Sequence, residues 1–255
     1  MVRVILAFVF LGLLSACGET VPSGSKARIL LMGDSLMATN RGSGLAVANA
    51  LEKELGEEVI DRSVSGARYF YALPISGAAG MRITEQFTPG PWSLVVMNGG
   101  GNDLLFNCGC GKCDDQLGRL ISPDGTKGAI PEFVARIRAT GAQVLYTGYL
   151  RTPGFQSPIE NCGRIGNEMD RRLAKMAARD KGVRFVSLAS VVPSGGTSYH
   201  QTDRIHPSPK GEPQSPKPSR KRWGARLSRR TPRSGTPAGA ALRSRKPAPD
   251  WAGSR

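Results

Sequence analysis

From Ala27 onward, short unbroken apolar runs alternate with stretches whose apolar residues recur at helical spacing, and this alternation leaves few folds open. The runs are Arg28 to Asp34, Glu57 to Val64, Trp92 to Gly99, Gln143 to Tyr149 and Val183 to Ala189. All are rich in Val, Ile, Leu or Tyr, and their hydrophobicity is continuous, as expected of strands buried on both faces of a parallel sheet. Between them, Leu45, Val47, Ala48, Leu51 and Leu55 make a helical stripe ended by Gly56. Ile130, Phe133, Val134 and Ile137 make another, ended near Gly141. Ile165 to Lys181 is the clearest helix, with core positions Met169, Leu173, Met176 and Ala177 and a stop at Gly182. The pattern predicts an α/β fold: a three-layer α/β/α sandwich around a five-stranded parallel sheet. The connection from Phe106 to Lys127 is long for such a fold and reads as a surface insertion stapled by disulfides.

The ends of the chain do not share this pattern. Residues 1–16 open with Arg3, continue through the uncharged run Val4 to Leu14 and lead to Leu14-Ser15-Ala16-Cys17, which reads as a signal peptide before a lipid-accepting cysteine. Plain secretion or a retained anchor is the alternative. Residues 17–26 are then a linker, and 27–211 the folded domain. Composition matters most after that point. From Pro207 to Arg255 there are thirteen Lys or Arg against Glu212 and Asp250, so this stretch carries +11 and leaves +4 of the total +15 for the rest. Nine of the eighteen prolines lie there, with no apolar period, so residues 212–255 cannot build a core. Three readings are open: a polybasic arm for anionic lipid or nucleic acid, a passive disordered tail, or text from a shifted reading frame. The last is favoured because the change after Gly211-Glu212 is abrupt and comes where a final helix is due. The high overall charge is therefore no argument for nucleic-acid binding.

With Cys17 set aside, Cys108, Cys110, Cys113 and Cys162 form an even set in a chain bound for an oxidising compartment, which predicts two disulfides among three possible connectivities. A zinc site is the rival, disfavoured because structural zinc sites use paired Cys-x-x-Cys knuckles.

In an open parallel sheet, ligands bind beyond the carboxyl ends of the strands, so the residues just after each run carry the chemistry. Gly33-Asp34-Ser35 follows the first, where Ser35 is either a helix N-cap or a nucleophile. Ser65-Gly66 follows the second and offers a bare backbone N–H. Gly99-Gly100-Gly101-Asn102-Asp103 follows the third; glycines admit close approach and Asn102 supplies an amide donor. No Lys-Ser or Lys-Thr follows these glycines, which disfavours a phosphate loop. Asp203-Arg204-Ile205-His206 follows the fifth, and the three-residue spacing lets Asp203 bond one imidazole nitrogen and leave the other to accept a proton. The second histidine, His200, lacks such a partner and reads as part of a solvated loop. Tyr69, Phe70 and Tyr71 are either acyl-pocket lining or core.

This ordered set resembles the SGNH or GDSL hydrolases across about Arg28 to Gly211: a serine block, a glycine block, Gly-x-Asn-Asp and Asp-x-x-His. The resemblance implies a flavodoxin-like sheet, with Ser35 as nucleophile, His206 as its base and Asp203 as the group orienting the imidazole. It implies an oxyanion hole from the N–H groups of Ser35 and Gly66 and the side-chain amide of Asn102, with no cofactor or metal. The expected function is hydrolysis of carboxylic esters through an acyl-enzyme, in the bacterial cell envelope, either lipid-anchored or periplasmic. The expected partners are a small-molecule, lipid or glycan ester and, through lipidated Cys17, a membrane; nucleic acid is not expected, and the chain is expected to be a monomer. Two alternatives differ in class: acyl transfer to a sugar or lipid hydroxyl at the same site, and a non-catalytic envelope-binding protein using the basic tail.

Overall fold

The computed structural model describes residues 18–71, 80–154, 156–193 and 195–211. The signal segment with Cys17 and the stretch from residue 212 onward lie outside the described residues. All five expected strands are present, each shorter than its apolar run: β1 (Ile29–Met32), β2 (Val59–Asp61), β3 (Leu94–Met97), β4 (Gln143–Thr147) and β5 (Val183–Val186). They form one sheet in the order β2-β1-β3-β4-β5, every neighbouring pair parallel. The chain moves from β1 to β2 on one side, then returns to lay β3 on the other. The turns after β1 and β3 therefore meet at the point where the winding reverses, the usual place for a ligand crevice.

Alternation along the strands divides the core between two faces. Leu30, Met32, Val95, Met97, Val144 and Tyr146 pack on residues of α3 (Gly101–Cys108), α4 (Asp114–Leu120), α5 (Ala129–Ala139) and α6 (Gly163–Arg179). Ile29, Leu31, Val59, Leu94, Val96 and Leu145 pack on Met37 of α1 (Ser35–Ala38) and on Val47, Ala48 and Leu51 of α2 (Val47–Leu55). The sandwich is thus three-layered and lopsided, with four helices against one face and, among the described residues, one full helix and a single turn against the other.

Several local expectations are corrected. Leu45 is not in the helical stripe; it precedes α2 and is 51% exposed. The long helix α6 ends at Arg179 and not at Gly182. Asp180 halts it by accepting the Gly182 N–H at 2.7 Å and pairing with Arg138 at 2.8 Å, which holds its backbone in an extended conformation. The Phe106–Lys127 connection is only partly a surface insertion. It carries α4, whose Leu117 and Leu120 are fully buried, as is Ile121 beyond it. Arg172 of α6 fastens this connection by donating to the Ile121 carbonyl at 2.8 Å. The four cysteines pair as Cys108–Cys113 and Cys110–Cys162, which excludes the zinc reading and selects one of the three connectivities. Residues 18–26, expected as a linker, are tied to the sheet edge at Glu19, which exchanges hydrogen bonds with Asp61 of β2 at 2.8 and 2.9 Å.

Candidate active site

The turn after β1 brings Ser35 to the first position of α1, where its backbone N–H has no intrahelical acceptor. The N-cap is Asp34, not Ser35: the Asp34 carboxylate accepts the Leu36 N–H at 3.0 Å. Asp34 is 1% exposed and bound on every side. Its backbone N–H donates to Asn98 Oδ1 at 3.0 Å, its Oδ1 accepts from Asn98 Nδ2 at 2.7 Å, and its Oδ2 accepts from the Tyr149 hydroxyl at 2.5 Å. Burial pushes the Asp34 carboxyl above the usual carboxylate range, opposed by the hydrogen bonds from Tyr149, Asn98 and the Leu36 amide and by the charge of nearby His206. Gly33 sits at φ +140°, and a Cβ there would fall 1.9 Å from Asn98 Oδ1, so only glycine allows the β1 and β3 turns to meet. Gln86 locks the same turn by accepting from Gly33 N–H at 2.6 Å and donating to its carbonyl at 2.9 Å.

The turn after β3 starts α3 with Gly101 and Asn102. The Gly101 N–H donates to the Tyr149 hydroxyl at 3.0 Å, so one phenol links the Ser35 turn to the Asn102 turn. A Cβ at Gly101 would lie 2.6 Å from the Tyr149 ring. Asn102 Nδ2 donates one proton to the Ala67 carbonyl at 3.1 Å, which leaves the second amide proton without an acceptor among the described residues. Buried Asp103 accepts the N–H groups of Tyr69 and Phe70 at 3.0 and 2.9 Å and fixes the glycine-containing turn against α3. Burial raises its pKa to about 6, despite those two amides and nearby Arg68. Gly66 occupies that turn at φ +79°; its N–H has no acceptor among the described residues, but it does not line the pocket described below.

Near the end of the described chain, Asp203 and His206 are in contact: Oδ2 lies 2.5 Å from Nδ1, while Oδ1 accepts the backbone N–H groups of Ile205 and His206 at 3.0 Å each. Burial alone would raise Asp203, but these amides and the imidazole together hold it below the ordinary value. A carboxylate at Nδ1 leaves Nε2 for the pocket. His200 departs from expectation. It is buried, with neither ring nitrogen bonded among the described residues, and the chain around it is drawn in by a bridge to Pro207; burial lowers its pKa, opposed by the charge of Asp203.

Ser35, Asn102 and His206 line one cleft that opens to solvent. Its remaining wall is largely apolar, from Leu36, Leu104, Leu105, Ile159, Ile165 and Met169. Tyr69, Phe70 and Tyr71 are not in it. Tyr69 is core, bonded to the Tyr146 hydroxyl at 3.3 Å, and Tyr71 lies beneath Arg68. Met169 serves both as core and as pocket lining.

A family model, the GDSL-like lipase/acylhydrolase family, matches residues 31–212, some seven-tenths of the chain. The chain belongs to the GDSL-like lipase/acylhydrolase family. As a GDSL-like acylhydrolase it is a hydrolase acting on ester bonds. Solved structures agree on the fold. A candidate acylhydrolase from Bacteroides fragilis is 20% identical with a TM-score of 0.52, covering 75% of this chain and 84% of its own. A protein from Streptococcus pneumoniae described as a candidate platelet activating factor is 15% identical with a TM-score of 0.51, covering 75% and 81%. No curated protein matches the chain in sequence.

In this GDSL-like acylhydrolase, four residues around the site escape sequence reasoning. In the sequence, Asp34 is only a neighbour of the serine, and Tyr149 only the last residue of an apolar run. Asn98 had a visible signal, a polar amide inside an apolar run. Gln86 had none, since it reaches the site from a short 3₁₀ turn (Ile83–Glu85) with no pattern of its own.

Proposed function

We propose that the chain hydrolyses carboxylic esters through an acyl-enzyme on Ser35. The observation that carries this reading is that Ser35, Asn102 and His206 share one cleft while Asp203 holds the far nitrogen of the imidazole. His206 Nε2 takes the Ser35 hydroxyl proton as Oγ attacks the ester carbonyl, then gives it to the departing alkoxide. Among the described residues Ser35 Oγ is not hydrogen-bonded to His206, a looseness common before substrate closes a site. The negative charge on the tetrahedral oxygen is met by the N–H of Ser35 and the free amide proton of Asn102; Gly66, expected as a third donor, does not line the cleft. Water, deprotonated by the same imidazole, then releases the acid. The test is covalent labelling with a fluorophosphonate: the native chain should be labelled and lose activity, and Ser35→Ala should not be labelled. A labelled Ser35→Ala variant would remove Ser35 from the reaction.

The same proposal puts the enzyme in the cell envelope. Support comes from the two disulfides, which persist in oxidising compartments, and from the signal-like residues 1–16 followed by Cys17. Radiolabelled palmitate should enter the native chain and not Cys17→Ser; equal labelling of both would end the anchoring proposal.

A further inference from the structure

The disulfide Cys110–Cys162 stands in an unusual place: both of its cysteines line the cleft that holds Ser35. Cys110 follows α3, the helix that begins with Gly101 and Asn102 and turns Leu104 and Leu105 toward the cleft. Cys162 immediately precedes α6, which lines the opposite side with Ile165, Gly166 and Met169. The bond therefore joins the far end of one pocket wall to the near end of the other. Cys110 is 5% exposed and packs with Leu104, Ile165 and Met169 in the main core, and its backbone N–H donates to the Leu104 carbonyl at 3.1 Å. The second disulfide, Cys108–Cys113, closes a short loop within the same connection, and neither of its cysteines lines the cleft.

We infer that Cys110–Cys162 is a specificity-determining wall of this site: it fixes the gap between α3 and α6, and that gap receives the acyl chain of an aliphatic ester. This rests on the esterase reading above and adds the substrate class to it. A sulfur–sulfur bridge, leucines, isoleucines and a methionine offer dispersion contact and no hydrogen-bonding groups, so they favour an unbranched hydrocarbon over a sugar or a charged acid. Of the polar members of the lining, Ser35, Asn102 and His206 belong to the reacting end of the ester, while Asp34 and Tyr149 are bonded to each other, Arg151 is paired with Asp170 and Thr152 donates to the Gly154 carbonyl. The acyl carbon chain continues from the carbonyl that Asn102 holds, along Leu104 and Leu105 of the same helix, toward the disulfide. Because the bridge is covalent, the gap cannot widen to suit longer chains, and selectivity follows from its fixed span.

The experiment measures kcat/KM on p-nitrophenyl esters of straight-chain acids from acetyl to dodecanoyl, for the native chain, a Cys110→Ala/Cys162→Ala variant and a Cys108→Ala/Cys113→Ala variant. Removing the pocket bridge should shift the preferred length upward, with the ratio of long to short esters rising about tenfold or more, the scale by which one methylene in an apolar pocket discriminates. Removing the other bridge should leave the profile unchanged. Leu105→Trp, which keeps both disulfides and fills the cleft from α3, should shift preference to shorter acids by a similar factor and serves if the first variant does not fold. Unchanged profiles in folded, active variants would overturn the inference. So would a shift that appears only when the alcohol is varied at constant acyl group. Absence of turnover on every ester by the native chain, or fluorophosphonate labelling of Ser35→Ala, would instead overturn the esterase reading itself.

Discussion

Asn102 divides its amide between two duties. One proton holds the Ala67 carbonyl and keeps the glycine-containing turn in place; the other, in the proposed mechanism, meets the oxyanion. Replacing it with alanine should lower kcat by about 10² to 10³, the usual loss for one oxyanion donor, with KM little changed. Steady-state kinetics on a soluble ester checks this, and near-native turnover would take Asn102 out of the reaction. Asp103, its neighbour, has a different signature. Its pKa is about 6 in the folded protein against an ordinary value of 3.8, so folding takes up a proton between these values. Its contribution to stability is fully present below pH 3.8 and is lost as pH rises through about 6, a change of about 3 kcal/mol. Carboxylates held low by partners, such as Asp180 and Glu168, act in the opposite sense as pH falls. The comparison is therefore with Asp103→Asn: urea midpoints measured from pH 4 to 8 should fall with pH more steeply for the native chain than for the variant. Parallel curves would show that Asp103 does not titrate in this range. Ser35 and Asn102 were legible because each has a residue type suited to its proposed chemistry and a place just beyond a strand, and Asp203 and His206 because of their three-residue spacing. Asp34 and Tyr149 were not, because the importance of Asp34 lies in its bonds to Asn98 and Tyr149 across 64 and 115 positions in sequence.

Among the elements, the Phe106–Lys127 connection shows most clearly what spacing can and cannot say. Its three cysteines announced disulfides, yet the pairing depends on where α6 begins in space. Cys162 meets Cys110, while Cys108 and Cys113 close on each other. The two bonds should differ in their effect on stability. Constraining the unfolded chain across a separation of 52 residues is worth about 4 kcal/mol, and across 5 residues about 2 kcal/mol. Urea denaturation of the two paired-alanine variants should rank them in that order; equal losses would mean that the long loop is already compact when unfolded. The apolar content of the same connection was the harder part to read. Leu117, Leu120 and Ile121 gave too short a stripe to separate a buried helix from a surface turn, and only their contact with α5 and α6 decides it.

For the molecule as a whole, the apolar alternation in the sequence carried the layer architecture, because buried parallel strands and amphipathic helices differ in period. Strand order was accessible only through the family resemblance, since pairing between β1 and β3 leaves no local trace. The unequal thickness of the two helical layers was not legible at all, and it governs how the protein opens. On the thicker side, four helices keep solvent from the amides of β3 and β4. On the thinner side, α2 is a nine-residue helix holding the sheet through Val47, Ala48 and Leu51. A helix with so small a share of the buried contacts can detach without dismantling the rest. In native-state hydrogen exchange, the α2 amides should therefore exchange at least about tenfold faster than those of α5 and the central strands, and with a smaller denaturant dependence. Ser35 sits on the short turn that bridges these two regimes. The preceding residue, Asp34, is held from the slow-exchanging side through Asn98 and Tyr149, so the proposed nucleophile stays in place during excursions that release the helix following it.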